Sequence, residues 1–321
     1  MIKKHHQILA ALLIAQIALT TVVLWPRPSV AGQQEPLFPD LDVEDVTRLS
    51  IADPASSITL ERVEDGWMLP EAGSFPARTD AVDSFLEKLL ALSTGRLVAS
   101  SGASHKRLQV AADDFVRRIV FEADDGTKET VYLGSSPQYG AVHFRLAQQS
   151  ETYLTSELAA SDANPAVRSW INTSYGSVSQ DEVTRVTLEN SQGRFVFERQ
   201  DEETWAMVEP PLDDEESLDQ TQVRTVLRRA ASVTINKPLG KERKSDYGMD
   251  EPSAVVTFET GDGTFTLRVG AEDSDEGGYV VKSSESDYYV LVASTGVSAL
   301  VENGRDAFIQ EPTPEPDSDD S

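Results

Sequence analysis

With 321 residues, 39% hydrophobic and 26% charged, the chain has the composition of about two globular domains rather than of a disordered polymer. Its 28 basic and 54 acidic residues give a formal net charge of -26, a surface that repels phosphate backbones and so excludes a nucleic-acid partner. The absence of cysteine excludes a disulfide framework, a thiolate nucleophile and a Cys-ligated zinc.

The first predicted element is a membrane anchor. Residues 1–7 carry Lys3-Lys4-His5-His6, and residues 8–25 form an uncharged run whose only strongly polar side chain is Gln16. A run of this length reaches the lower end of what spans a hydrocarbon core, and basic residues stay on the cytoplasmic side. Trp25 suits the far interface, and Pro26-Arg27-Pro28 ends the helix by removing backbone donors. Ser29-Val30-Ala31 before Gly32 also has the spacing of a signal-peptidase site. The retained anchor is the expectation, because signal h-regions run only about 7–15 residues. Either way the remainder is exported. Residues 26–40, polar and proline-bearing, form a linker.

The next segments repeat. Val46-Thr47-Arg48-Leu49-Ser50-Ile51 recurs as Val183-Thr184-Arg185-Val186-Thr187-Leu188, Ile58-Thr59-Leu60-Glu61-Arg62 as Phe195-Val196-Phe197-Glu198-Arg199, and Trp67 as Trp205. Both tryptophans are expected in the core. Val82, Phe85, Leu86, Leu89 and Leu90 then mark one apolar helix face, repeated by Val223, Val226, Leu227, Ala230 and Ala231. Asp219 with Gln222 reads as the N-cap of the second helix, and Thr79 or Asp80 serves the first. Hairpins follow around Asp124-Asp125-Gly126 and Gly261-Asp262-Gly263, then strands at 142–147, 152–154, 279–282 and 288–292. Short helical stretches containing Arg168-Ser169-Trp170-Ile171 and Arg305-Asp306-Ala307-Phe308 close the copies. The expected fold is therefore α+β: two tandem copies of a ββ-α-ββ-ββ-α unit, residues 41–175 and 176–310, each an antiparallel sheet with helices on one face, after one N-terminal transmembrane helix. Residues 311–321 alternate proline with acids and are expected to be a disordered acidic tail.

Chemistry is sparse. His5 and His6 lie before the anchor, which leaves His105 and His143 for any external site, and neither adjoins a nucleophile motif. His143, inside a strand pattern, is expected to face solvent or a sheet edge. The carboxylates are too numerous for any pair to read as a general acid and base. Asp273-Ser274-Asp275-Glu276-Gly277-Gly278 imitates the start of a calcium loop, which makes Asp273 and Asp275 weak metal candidates, but Ser284 stands where the bidentate acid belongs. An acidic hairpin loop is the simpler reading. No catalytic residue and no cofactor is expected.

Three groups of residues carry a resemblance to a known family: Asp45-Val46-Thr47-Arg48 with Glu182-Val183-Thr184-Arg185, the Glu-Arg then Trp pattern (Glu61, Arg62, Trp67; Glu198, Arg199, Trp205), and Tyr247-Gly248-Met249-Asp250-Glu251-Pro252. With an anchor and two copies, the chain resembles the bacterial domain-of-unknown-function 4340 family. The first copy has Arg107-Leu108-Gln109-Val110-Ala111-Ala112-Asp113 where the Tyr-Gly segment belongs, so that segment, read as a turn before a strand, is expected in the second copy alone. The resemblance implies an uncharacterised, non-enzymatic accessory subunit of an envelope or ABC-type transport system. It implies a single-pass protein of the bacterial inner membrane, held through residues 8–25, with a periplasmic C-terminal region and a membrane or periplasmic protein partner. The alternative is a periplasmic module that binds a small ligand or a cation.

Overall fold

A computed structural model describes residues 35–176 and 178–310. The basic end 1–7, the anchor at 8–25, the cleavage pattern at Ala31, most of the linker and the tail 311–321 lie outside the described residues. No helix among the described residues is long and apolar enough to cross a membrane.

The first half runs β1 (Val46–Ala52), β2 (Ser57–Val63), β3 (Gly66–Leu69), β4 (Phe75–Pro76), α1 (Thr79–Leu90), β5 (Leu97–Ala99), β6 (Val110–Ala111), β7 (Asp114–Phe115), β8 (Arg117–Ala123), β9 (Lys128–Leu133), β10 (Val142–Leu146) and β11 (Thr152–Thr155). The second runs β12 (Ser174–Tyr175), β13 (Val183–Asn190), β14 (Gly193–Arg199), β15 (Trp205–Glu209), α2 (Gln220–Ala231), β16 (Val233–Gly240), β17 (Ala254–Thr260), β18 (Gly263–Asp273), β19 (Gly278–Ser283), β20 (Tyr289–Ala293) and α3 (Ser294–Glu302).

Two nine-stranded sheets result, ordered β4-β3-β2-β1-β8-β9-β10-β11-β5 and β12-β16-β20-β19-β18-β17-β13-β14-β15. Read from β3 and from β15, eight strands follow one order in both: β3-β2-β1-β8-β9-β10-β11-β5 matches β15-β14-β13-β17-β18-β19-β20-β16. Every pairing within them is antiparallel. The extra strand sits at opposite ends, with β4 beyond β3 in the first sheet and β12 beyond β16 in the second.

The α+β class expected from the sequence is overturned by this arrangement. The described chain is mainly antiparallel sheet, and helix is confined to α1, α2, α3 and short 3-10 turns. The stretches expected to close each copy as helices are single 3-10 turns, Val167–Ser169 and Arg305–Phe308. Their buried apolar residues, Trp170 with its neighbour Ile171 and Phe308, are plugs at one point of the chain, too few to supply the stripe that holds a longer helix on a sheet. Strand β16, just after α2, is an element that the sequence reading does not include.

The alternation of strand side chains decides where the core lies. One face of each sheet carries residues such as Leu49, Ile51, Ile119, Phe121, Val131 and Phe144, or Val186, Leu188, Val256, Phe258, Leu267 and Val281, all buried in one continuous cluster. The helices cover that face: α1 buries Val82, Phe85, Leu86 and Leu89, and α2 buries Val223, Val226, Leu227, Ala230 and Ala231. Asp219 caps α2 as the sequence suggests, accepting from the Thr221 and Gln222 amides at 2.8 and 3.2 Å. At α1 the cap position is Arg78, without a side-chain cap; Asp80 instead accepts from the Arg78 guanidinium at 2.7 Å. Trp67 and Trp205 are both buried core residues.

Candidate functional site

The Glu-Arg and Trp residues that repeat in the sequence build the same clasp in each half. Arg62, on β2, donates from Nε to the Val46 carbonyl and from Nη2 to the Val43 carbonyl, both at 2.8 Å. Its guanidinium lies 4.5 Å from the centre of the Trp67 ring. Arg199, on β14, donates to the carbonyls of Val183 at 2.7 Å and Gln180 at 2.6 Å and lies 4.7 Å from the Trp205 ring. Beside each clasp a cross-strand ion pair, Arg48 with Glu61 at 2.6 Å and Arg185 with Glu198, straps the first strand to the second. Most of the donors in these groups are spent on the fold's own backbone and strands.

The clasps differ at one position. In the first half Asp83, on α1, accepts from Trp67 Nε1 at 3.0 Å and from Arg62 Nη2 at 3.2 Å. In the second half Arg224, on α2, stands at the equivalent position, and an open cleft of about 370 Å³ lies against Trp205. The Trp205 backbone is gripped at both ends by Gln220, whose Oε1 accepts from Trp205 N and whose Nε2 donates to Trp205 O, each at 2.9 Å.

The opposite face of each sheet carries a second shared device. Gly248 follows a 3-10 turn with φ +65°, and that turn buries Tyr247 and Met249 in a satellite cluster with Val280, Tyr289 and Leu291. The first half has the same turn, contrary to the expectation that only the second keeps it. Gln109, at φ 54°, takes the glycine's left-handed conformation, and Leu108 and Val110 pack on Tyr132. Beneath each turn a cation on the sheet ties up main-chain carbonyls. Arg145 is buried and donates to the carbonyls of Val110, Leu146, Ala147 and Gln149 at 2.8 to 3.1 Å. Lys282 donates to those of Ser283 and Ser286. Burial pushes the pKa of both below its ordinary value, the penalty of holding a charge away from water.

His143 is buried on interior strand β10, not exposed or at an edge, and its Nδ1 lies 3.2 Å from Ser135 Oγ. The Ser135 hydroxyl also reaches the Leu108 carbonyl at 3.2 Å, so the pair clips the turn to the sheet. The sequence did not signal this contact, because it joins residues on either side of a loop. His105 Nε2 is 2.9 Å from the Ser150 carbonyl, far along the chain from any nucleophile motif.

Asp273 and Asp275 fall in the β18–β19 hairpin. Asp273 Oδ1 accepts from the Asp275 and Glu276 amides at 3.1 and 3.0 Å, an Asx turn in which the carboxylate closes its own loop. Glu276 is paired with Lys237 at 2.7 Å. Among the described residues no group of three or more His, Asp or Glu is placed to hold a metal ion.

One edge is open. Strand β5 ends the first sheet and exposes Leu97 at 58% and Val98 at 42%, whereas the equivalent strand of the second sheet, β16, is covered by β12. Exposed apolar residues on a strand with free backbone groups form a template for another strand.

No curated protein and no solved structure matches the chain. One family does, under the description "Domain of unknown function (DUF4340)", over residues 67–248. The match begins at the first clasp's tryptophan, spans strands of both sheets and ends at the left-handed glycine of the second turn. Covering more than half of the chain, it settles the affiliation: this protein belongs to the DUF4340 family.

Proposed function

We propose that the chain is a non-enzymatic, extracytoplasmic accessory subunit of an envelope or ABC-type transport system, tethered through residues 8–25, and that it engages a partner protein by strand addition at β5. The open edge carries this reading. Leu97 and Val98 are exposed on a terminal strand whose counterpart in the second sheet is already paired. Strand addition draws affinity from main-chain hydrogen bonds and specificity from alternate side chains. The tether and the transport association rest on the sequence, where an apolar run precedes the repeated region and the motifs resemble the family.

The test is site-specific photocrosslinking in native membranes, with the crosslinker at position 98 and a C-terminal tag. The expected result is one membrane-protein adduct that is lost when Leu97 is replaced by Lys and is absent with the crosslinker at Val208, another exposed position. Equal adducts at both positions, or one insensitive to Leu97→Lys, would refute docking at this edge.

A further inference from the structure

We infer that the cleft against Trp205 binds a small zwitterion of the amino-acid type, its carboxylate seated where the first half's helix places Asp83. This site lies on the second sheet and stands independently of strand addition at β5.

Helices α1 and α2 are both twelve residues long and bury side chains at matching positions, Val82 with Val223 and Leu86 with Leu227. That register sets Arg224 against Asp83. In the first half the Asp83 carboxylate answers two donors, the Trp67 indole and the Arg62 guanidinium. The second half keeps both donors but has lost the acceptor. Trp205 is only 5% exposed, yet among the described residues its indole N–H has no hydrogen-bond partner, whereas Trp170 donates to the Asn164 carbonyl at 2.6 Å. The Trp205 N–H is not among the fully buried donors that lack a partner, so water reaches it, and a ligand in the cleft can replace that water with the kind of acceptor that Asp83 supplies in the first half.

The cation balance points the same way. Arg199 spends Nε, Nη1 and Nη2 on the carbonyls of Val183, Glu202 and Gln180, which leaves two of its five N–H groups free. Arg224 makes one long contact, 3.5 Å to the Glu203 carbonyl, and among the described residues pairs with no carboxylate. Two guanidinium groups with unspent donors and an indole N–H thus border one cleft, interleaved with three carboxylates that no ion pair among the described residues engages. Guanidinium groups recognise a carboxylate with directional, charge-assisted hydrogen bonds.

The rest of the lining decides what else the ligand carries. Asp181, Glu202 and Glu203 line the same cleft, and among the described residues none is in an ion pair. They suit an ammonium group. The chain's net charge of -26 repels a simple anion, but a zwitterion approaches without that long-range penalty. Leu227 and the Trp205 ring offer an apolar wall for a side chain. At about 370 Å³ the space lies toward the small end of ligand pockets, which run from about 300 to 1,000 Å³.

The test is calorimetric titration of the full-length chain with L-leucine, acetate and methylamine as separate probes, each carrying both charges, the carboxylate alone or the ammonium alone. Leucine is expected to bind, acetate at least about tenfold more weakly and methylamine without measurable heat. Arg224→Asp gives the second helix the first helix's own carboxylate; it is expected to abolish leucine binding while raising the thermal midpoint, because the Trp205 donor is then satisfied internally. Should that variant fold poorly, Arg224→Gln is expected to weaken leucine at least about tenfold with the fold intact. No heat with leucine, acetate as tight as leucine, or unchanged binding in Arg224→Gln would each overturn the inference.

Discussion

Gly270 and Gly261 lie on the same hairpin, β17–β18, and neither needs a positive φ, yet alanine is expected to act oppositely at the two positions. A Cβ on Gly270 would sit 2.0 Å from the Tyr247 carbonyl oxygen and 2.8 Å from Met249 Cε. The carbonyl belongs to backbone, so no rotamer change relieves the overlap, and the turn has to lift from the sheet. Lifting it exposes Tyr247 and Met249, now 6% and 9% exposed. At about 1.5–3 kcal/mol for each large apolar side chain, the loss comes to roughly 3–5 kcal/mol after partial relaxation. A Cβ on Gly261 meets nothing within 4 Å. Gly261→Ala should therefore be neutral or stabilise by about 0.4–1 kcal/mol by narrowing the unfolded ensemble. Urea denaturation followed by tryptophan emission, with native-state hydrogen exchange of the 245–250 amides, distinguishes the two. Equal midpoints and equal protection in both variants would show that the turn is not seated on β18 as described.

The remaining predictions concern charge. Arg145→Met should lower stability by about 3 kcal/mol or more, because several buried carbonyls lose their donor at once, and Arg145→Lys should restore only part because it lacks the fork; urea midpoints of the three proteins check this. Glu216 should make stability depend on acid. The Arg305 guanidinium beside it, helped by the Asp213 amide, holds its carboxyl down from 4.5 to about 2. A depressed folded-state pKa means that the contribution is full above about pH 4.5 and is lost as pH falls toward 2. The stability gap between the native chain and Glu216→Gln should hold from pH 7 to 5 and close by pH 2. A gap that does not change with pH would remove the ion pair from the account.

What could be read from the sequence, and what could not, follows from element length. The apolar faces of α1 and α2 span three turns, so Val82 through Leu89 and Val223 through Ala231 announced themselves, as did the alternation in β1, β8, β13 and β17. Strand β5 has three residues and β12 two, too few for any period. Strand β16 contains Pro238 and ends at Gly240, residues that punctuate loops; a proline is tolerated where the register shifts, as it does between Pro238 and Gly240. Helix α3 opens directly from β20 without a capping side chain, so nothing marked its start. These short pieces turned an expected α+β pattern into two wide sheets. At the sites, the repetition of Arg62 and Trp67 as Arg199 and Trp205 was visible, but not the stacking they perform. Gln109 hid the first turn because its left-handed backbone is imposed by packing rather than signalled by glycine. The exchange of Asp83 for Arg224 was present in the helix alignment, yet it became informative only once Trp67 was found to donate to that carboxylate.

The position of β1 bears on how the protein responds to force. A pull applied through the chain before residue 35 first meets a short ladder, Leu37 N to the Leu92 carbonyl at 2.9 Å and Thr94 N to the Glu35 carbonyl at 3.1 Å. It then reaches β1, which lies between β2 and β8, both antiparallel to it. Tension along such a strand shears two ladders together instead of opening one bond at a time, and Arg62 holds the Val43 and Val46 carbonyls where the strain arrives. The first sheet is thus placed to resist tension from its N-terminal side, and β5, at the far end of the same sheet, would keep its position under such a pull.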